Sequence, residues 1–177
     1  LRLLDISFVP KPLKRNNFFE LLNSLYPKEN NGTSKKANTT GYEFDHFSEH
    51  YPLKILLAED NHINQKLTTR IMEKLGYTID VVSNGQEAME ACERQHYDLV
   101  FMDIQMPVMD GIQSTKAILS SGGAQKPTII ALTAAALKED NERCSEAGMS
   151  DFLTKPIDLK QLELILKKWA EKILDES

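Results

Sequence analysis

From residue 53 onward, short apolar runs alternate five times with stretches of helical periodicity, and few folds accommodate that alternation. The runs near 54–58, 78–82, 98–102, 128–132 and 150–153 read as strands. Helical patterns follow them at 62–75, 85–94, 110–120, 136–147 and 158–174. Strands that alternate with helices of this length make βαβ units, and such units build a parallel sheet covered on both faces. A continuous run such as Leu99-Val100-Phe101-Met102 suits a strand buried on both sides, where an alternating one would suit a half-exposed sheet. Punctuation agrees: Gly76 and Gly148 close helices, and Asn84, Asp110 and Asp158 stand where N-caps are wanted. The stripe Leu159, Leu162, Ile165, Leu166, Trp169 and Ile173 on the last helix is read as core packing against the sheet.

Composition narrows the function. The 177 residues are 41% hydrophobic, enough for one ordinary core plus extra segments. No run approaches the roughly 18 apolar residues of a membrane span, so no membrane contact is expected of this stretch. A net charge of -5 argues against nucleic acid as a direct partner, which would call for a basic footprint. Cys92 and Cys144, in helical patterns, read as reduced thiols of a cytoplasmic protein. The chain starts at Leu1 and is read as a piece of something longer, whose parent is expected to be membrane-anchored.

Ahead of this domain, residues 1–26 combine an apolar run, Lys11-Pro12 and a helix pattern through Phe18, Leu21, Leu22 and Leu25. Phe8-Val9-Pro10-Lys11-Pro12 matches the spacing of Phe152-Leu153-Thr154-Lys155-Pro156, so the segment is expected to be the tail of a preceding domain of the same kind. Residues 27–52, polar and without periodicity, read as a flexible linker with an r.m.s. span of about 25 to 30 Å. His46 and His50 have a metal pair's spacing, but in such a stretch they are read as solvated.

Four of the five strands end in a polar residue of a distinct kind: Glu59-Asp60, Asp103, Thr133 and Thr154-Lys155-Pro156. Doubly wound sheets bind ligands outside the carboxyl ends of their strands, and in the order 2-1-3-4-5 strands one and three flank the switch point. The three carboxylates would then be neighbours, repelling by roughly 4 kcal/mol per pair at 4 Å and an effective dielectric of 20. Something positive must sit among them. Hard oxygen donors without His or Cys suit Mg²⁺, with Asp60 and Asp103 as direct ligands and Glu59 acting through water. Lys155 would supply a compact cation, and Thr133 a hydroxyl, for the oxygens of a phosphoryl group accepted by Asp103.

Residues 53–174 closely resemble the receiver domain of two-component signalling, in particular the receivers of hybrid sensor histidine kinases. The matching text is Ile55-Leu56-Leu57-Ala58-Glu59-Asp60-Asn61 with Asn64, Gly85-Gln86-Glu87-Ala88, Met102-Asp103-Ile104-Gln105-Met106-Pro107-Val108-Met109-Asp110-Gly111, Ile130-Ala131-Leu132-Thr133-Ala134, Ala147-Gly148-Met149 and Lys155-Pro156. The resemblance implies a flavodoxin-like α/β fold, a doubly wound five-stranded parallel sheet with five helices, spanning 53–177. It implies that Asp103 takes a phosphoryl group from a phosphohistidine donor domain, in a magnesium-dependent self-phosphorylation, and passes it to a histidine-containing phosphotransfer protein. Magnesium would be held by Glu59, Asp60, Asp103 and the backbone carbonyl of Gln105, and the bond before Pro156 would be cis. Thr133 and Phe152 would form the switch; Phe152 lacks the hydroxyl of the tyrosine common there, which favours onward transfer over a large conformational output. Receivers can also dimerise weakly through helix four, strand five and helix five.

Docking is read onto Ile63 and Pro156. On a helical wheel Asn64, Leu67, Thr68, Ile71 and Leu75 share the inward face, and Ile63 lies a quarter turn away beside the acid pair. Three rival readings conflict with particular residues. A pseudo-receiver serving only as an interaction module conflicts with the intact set Glu59, Asp60, Asp103, Thr133 and Lys155. A haloacid-dehalogenase-like phosphatase would need an Asp where Gln105 stands. A dinucleotide enzyme would want glycines where Asp60-Asn61-His62 stand.

Overall fold

The computed structural model describes residues 47–122, 125–134 and 138–175, excluding the side chains of 138–141. The expected upstream unit at 1–26, His46 and most of the expected linker lie outside the described residues. Within them the order is β1 (Ile55–Ala58), α1 (His62–Lys74), β2 (Asp80–Val82), α2 (Gly85–Arg94), β3 (Leu99–Asp103), α3 (Gly111–Ser120), β4 (Thr128–Thr133), α4 (Lys138–Ala147), β5 (Asp151–Thr154) and α5 (Leu159–Asp175). The strands form one parallel sheet, as the alternation of elements implies, in the expected order β2-β1-β3-β4-β5.

Strand side chains alternate between faces, so each apolar run divides its residues between two cores. Ile55, Leu57, Leu99, Phe101, Ile130, Leu132 and Leu153 pack beneath α1 and α5, against Ile71, Met72, Leu162, Leu166 and Trp169. Leu56, Ala58, Val100, Met102, Ile129 and Ala131 face the other way, against Ala88 and Ala91 of α2, Ile118 of α3 and Cys144 of α4. Burying a side chain such as Phe101 completely stabilises the fold by roughly 2 to 3 kcal/mol. The caps stand where the sequence places them: Asn84 Oδ1 accepts from Glu87 N–H and Asp110 Oδ1 from Gln113 N–H. Both cysteines are free thiols, as expected.

Two local expectations are corrected. Leu67 is 38% exposed and off the inward face of α1, where Met72 is buried beside Thr68 and Ile71. The stretch expected as linker is already structured at Phe47–His50, a helical turn that precedes β1. Phe47 packs on the α1/α5 core, with its ring tilted against Tyr51 and edge-on to Tyr77. Ser48 N–H donates to Leu75 O, closing the C-terminal end of α1, and Tyr77 O–H donates to the Tyr51 carbonyl at 2.6 Å. Gly76 turns the chain there with φ +86, and a Cβ at that position would collide with Ser48 Oγ.

Candidate functional site

The parity that divides the core also assembles the site. Glu59 follows Ile55 and Leu57, Asp103 follows Leu99 and Phe101, and Lys155 follows Leu153, so all three continue the face covered by α1 and α5. The ladder extends far enough to hold them: Glu59 N–H donates to Val82 O, and Lys155 N–H donates to Thr133 O at 2.7 Å. They meet at the carboxyl edge of the sheet, where Lys155 Nζ lies 2.6 Å from both Glu59 Oε2 and Asp103 Oδ2. Among the described residues, Glu59, Asp60 and Asp103 form a cluster in which one carboxylate oxygen from each lies within 4.8 Å of the others.

Each acid has a different setting. Glu59 is buried, and its Oε1 accepts from Asn64 Nδ2 at 2.9 Å and from Asn61 N–H at 3.3 Å. Asp60 is exposed at the rim. Asp103 is buried, with Oδ1 accepting from Gln105 N–H at 3.3 Å. Burial pushes the Asp103 carboxyl above its ordinary range; the Lys155 hydrogen bond and charge pull it down, the Glu59 charge raises it, and the Gln105 N–H lowers it.

The β3–α3 loop is held tightly around these groups. Gly111 N–H donates to Ile104 O, and a Cβ on Gly111 would overlap the carbonyl oxygen of Asp103. Gly85 N–H donates to Met109 O while its own carbonyl accepts from Ser114 Oγ at 2.7 Å, so the loop is clamped from the β2–α2 side. Val108 at the tip has φ +69, a conformation that β-branched residues seldom adopt, and it is exposed. The site opens into a cleft of about 850 Å³ lined by the acids, Thr133, Ala134 and Lys155.

The profile of the family described as "Response regulator receiver domain" matches residues 55–167. The chain belongs to that family.

Relatives agree with this assignment of the receiver. Histidine protein kinase 1 of Candida albicans is 39% identical over 174 residues, covering 93% of this chain and 7% of its own length. Hybrid signal transduction histidine kinase K of Dictyostelium discoideum is 44% identical over 126 residues, 67% of this chain and 10% of its own. The chain thus spans a tenth or less of these kinases. The receiver domain of a Pseudomonas aeruginosa sensor histidine kinase, crystallised with a magnesium ion coordinated in its active-site cleft, is 41% identical with a TM-score of 0.63, covering 67% of this chain and 98% of its own. A Saccharomyces cerevisiae structure joins the histidine phosphotransfer protein Ypd1 to the receiver domain of Ssk1; it matches at 33% identity and TM-score 0.62, over 67% of this chain and 88% of that one.

The receiver brings together Glu59, Asp60, Asp103, Gln105, Thr133 and Lys155 around one cleft. Thr133 is buried at the end of β4, and the bond between Lys155 and Pro156 is cis. The remaining candidates stand apart. Ile63, 77% exposed, lies on the first turn of α1 beside the acids without lining the cleft. Pro156 borders a smaller cavity behind Lys155, with Asn64, Leu67 and Ile157. Phe152 is 40% exposed on the edge strand β5, also outside the cleft lining. Sequence reasoning missed Arg143 of α4 in the cleft wall and the bond from Asn64 to Glu59. The position of Asn64, five residues after Glu59 in the first turn of the following helix, was the available signal.

Proposed function

We propose that this receiver accepts a phosphoryl group from a phosphohistidine onto Asp103 and passes it to a histidine-containing phosphotransfer protein, as part of a hybrid histidine kinase. The observation that carries the reading is the contact of Asp103 with Lys155 at 2.6 Å inside a cluster of three carboxylates. A buried carboxylate paired with the ammonium of Lys155 is a nucleophile whose counter-charge can follow the electrons. One Asp103 oxygen attacks phosphorus as the bond to the donor imidazole breaks, and the departing nitrogen takes up a proton. Lys155 moves with the charge, from the carboxylates onto the phosphoryl oxygens. The Thr133 hydroxyl donates to another of those oxygens, and Phe152 repacks toward the space it leaves. Without a hydroxyl of its own, Phe152 gains no hydrogen bond in that state, which favours onward transfer to the phosphotransfer protein.

The donor set fits magnesium: three carboxylates within 4.8 Å and a backbone carbonyl at Gln105 are all hard oxygens. Glu59, Asp60, Asp103 and the Gln105 carbonyl would hold the ion, which supplies positive charge for the carboxylates and the incoming phosphoryl group. Partner docking is assigned to Ile63 and Pro156 at the rim of the site. The Ssk1 receiver's pairing with Ypd1 and the hybrid kinases among the relatives support the partner class and the parent. A relay of this kind works in the cytoplasm, where its kinase domain finds ATP. Among the described residues no helix is long and apolar enough to cross a membrane.

Intact mass after incubation with Mg²⁺ and acetyl phosphate tests the reading. One added phosphoryl group is expected, lost when EDTA is present and absent in Asp103→Asn. No adduct from either acetyl phosphate or a phosphorylated phosphotransfer protein would overturn it in favour of a receiver fold used only for protein contact.

A further inference from the structure

We propose that Asn64 is a positioning residue: it tethers one oxygen of Glu59 so that the other is presented to the magnesium cleft. The inference rests on the magnesium reading of the site and adds a residue to it. Glu59 has the longest and most flexible side chain of the three acids, and a glutamate at the head of the cleft has more rotamers to lose than an aspartate would. In this receiver those rotamers are restricted by donors from one turn. Asn64 Nδ2 at 2.9 Å and Asn61 N–H at 3.3 Å both fall on Oε1, leaving Oε2 to face Lys155 at 2.6 Å. Asn64 is fixed in its turn, because its own N–H donates to Asn61 Oδ1, the cap of α1. It is also in place on both sides of Glu59, lining the main cleft and the small cavity behind Lys155.

The chemistry of the amide suits the task. It donates a hydrogen bond without a charge, so it neither competes with the metal, as a lysine there would, nor repels the carboxylate, as an aspartate would. Groups that orient a metal ligand in this way typically change affinity by ten to a hundredfold when removed. The reach of glutamate matters to the pairing: an aspartate at position 59 is one methylene shorter, and its carboxylate is expected to fall short of the Asn64 amide.

A double-mutant cycle read by calorimetric titration of Mg²⁺ tests this on the whole chain. Asn64→Ala is expected to weaken magnesium binding about tenfold, and by less than twofold when introduced into Glu59→Asp. In the metal-free chain, the Asn64 side-chain amide proton should show a hydrogen-bonded NMR shift that Glu59→Asp abolishes. Equal losses of affinity in both backgrounds would show that Asn64 acts through the start of α1 instead, and unchanged affinity in both would remove it from the site. If the unaltered chain takes up no magnesium, the metal reading fails and this inference with it.

Discussion

At the scale of single residues, the receiver handles its charges by giving each carboxylate a specific set of donors. Asp103 and Glu59 share one ammonium, while Asp151, at the start of β5, has a separate arrangement. Its Oδ2 accepts from Lys168 Nζ at 2.6 Å and from Trp169 Nε1 at 3.1 Å, and its Oδ1 accepts from Phe152 N–H. Burial works to raise the Asp151 carboxyl, but the Lys168, Phe152 and Trp169 hydrogen bonds outweigh it and hold the group below the ordinary range. A carboxylate depressed in the folded state adds stability above its unfolded pKa and loses it as pH falls through the folded value. Asp151→Asn should therefore lower thermal stability near neutral pH by about 1 kcal/mol, since Lys168 is largely solvated. The gap between variant and parent should narrow as pH falls below the unfolded-state value and close once it passes below the folded one. Thermal melts across that range check it, and a gap that persists in acid would assign the effect to packing.

At the scale of elements, the helical turn before β1 is part of the domain. Phe47, Tyr51 and Tyr77 form a small aromatic cluster over the ends of α1 and α5, and Tyr51 O–H donates to Glu171 of α5 at 3.1 Å. A fragment beginning at residue 53 loses these contacts and should melt several degrees below one beginning at residue 42, with Phe47→Ala accounting for about 1 to 2 kcal/mol. Equal melting temperatures would return residues 47–52 to the linker. The parallel sheet, the two-faced strands and the caps at Asn84 and Asp110 were legible because they depend on local periodicity and on residue types with one strong use. The convergence of Glu59, Asp103 and Lys155 was legible for the same reason, since strand parity carries each of them onto one face. This turn was not legible: three aromatics at positions 47, 51 and 77 follow no repeat, and only the closed fold brings them together. The tether from Asn64 and the sharing of Lys155 between two acids were hidden likewise, because they form where loops meet after the sheet is built.

At the scale of the molecule, the cleft is acidic on the α1 side and flanked by exposed apolar groups, Ile63 on α1 and Val108 on the β3–α3 loop. Such a rim suits a partner that presents an imidazole above the acids and an apolar helix face to the surface beside them. Ile63→Glu should slow phosphoryl transfer from a histidine phosphotransfer protein at least tenfold while acetyl phosphate still labels Asp103, measured as parallel rates. Equal losses in the two assays would remove Ile63 from docking.

The aromatic turn also decides where the chain enters the receiver. Chain arriving at Phe47 is fastened beside Leu75, at the far end of α1 from Asn61 and the acids. Thirteen helical residues separate those ends, about 20 Å at 1.5 Å per residue. The chain thus enters at the pole opposite the acidic cleft, so a molecule reaching the acids need not dislodge the anchor at Phe47.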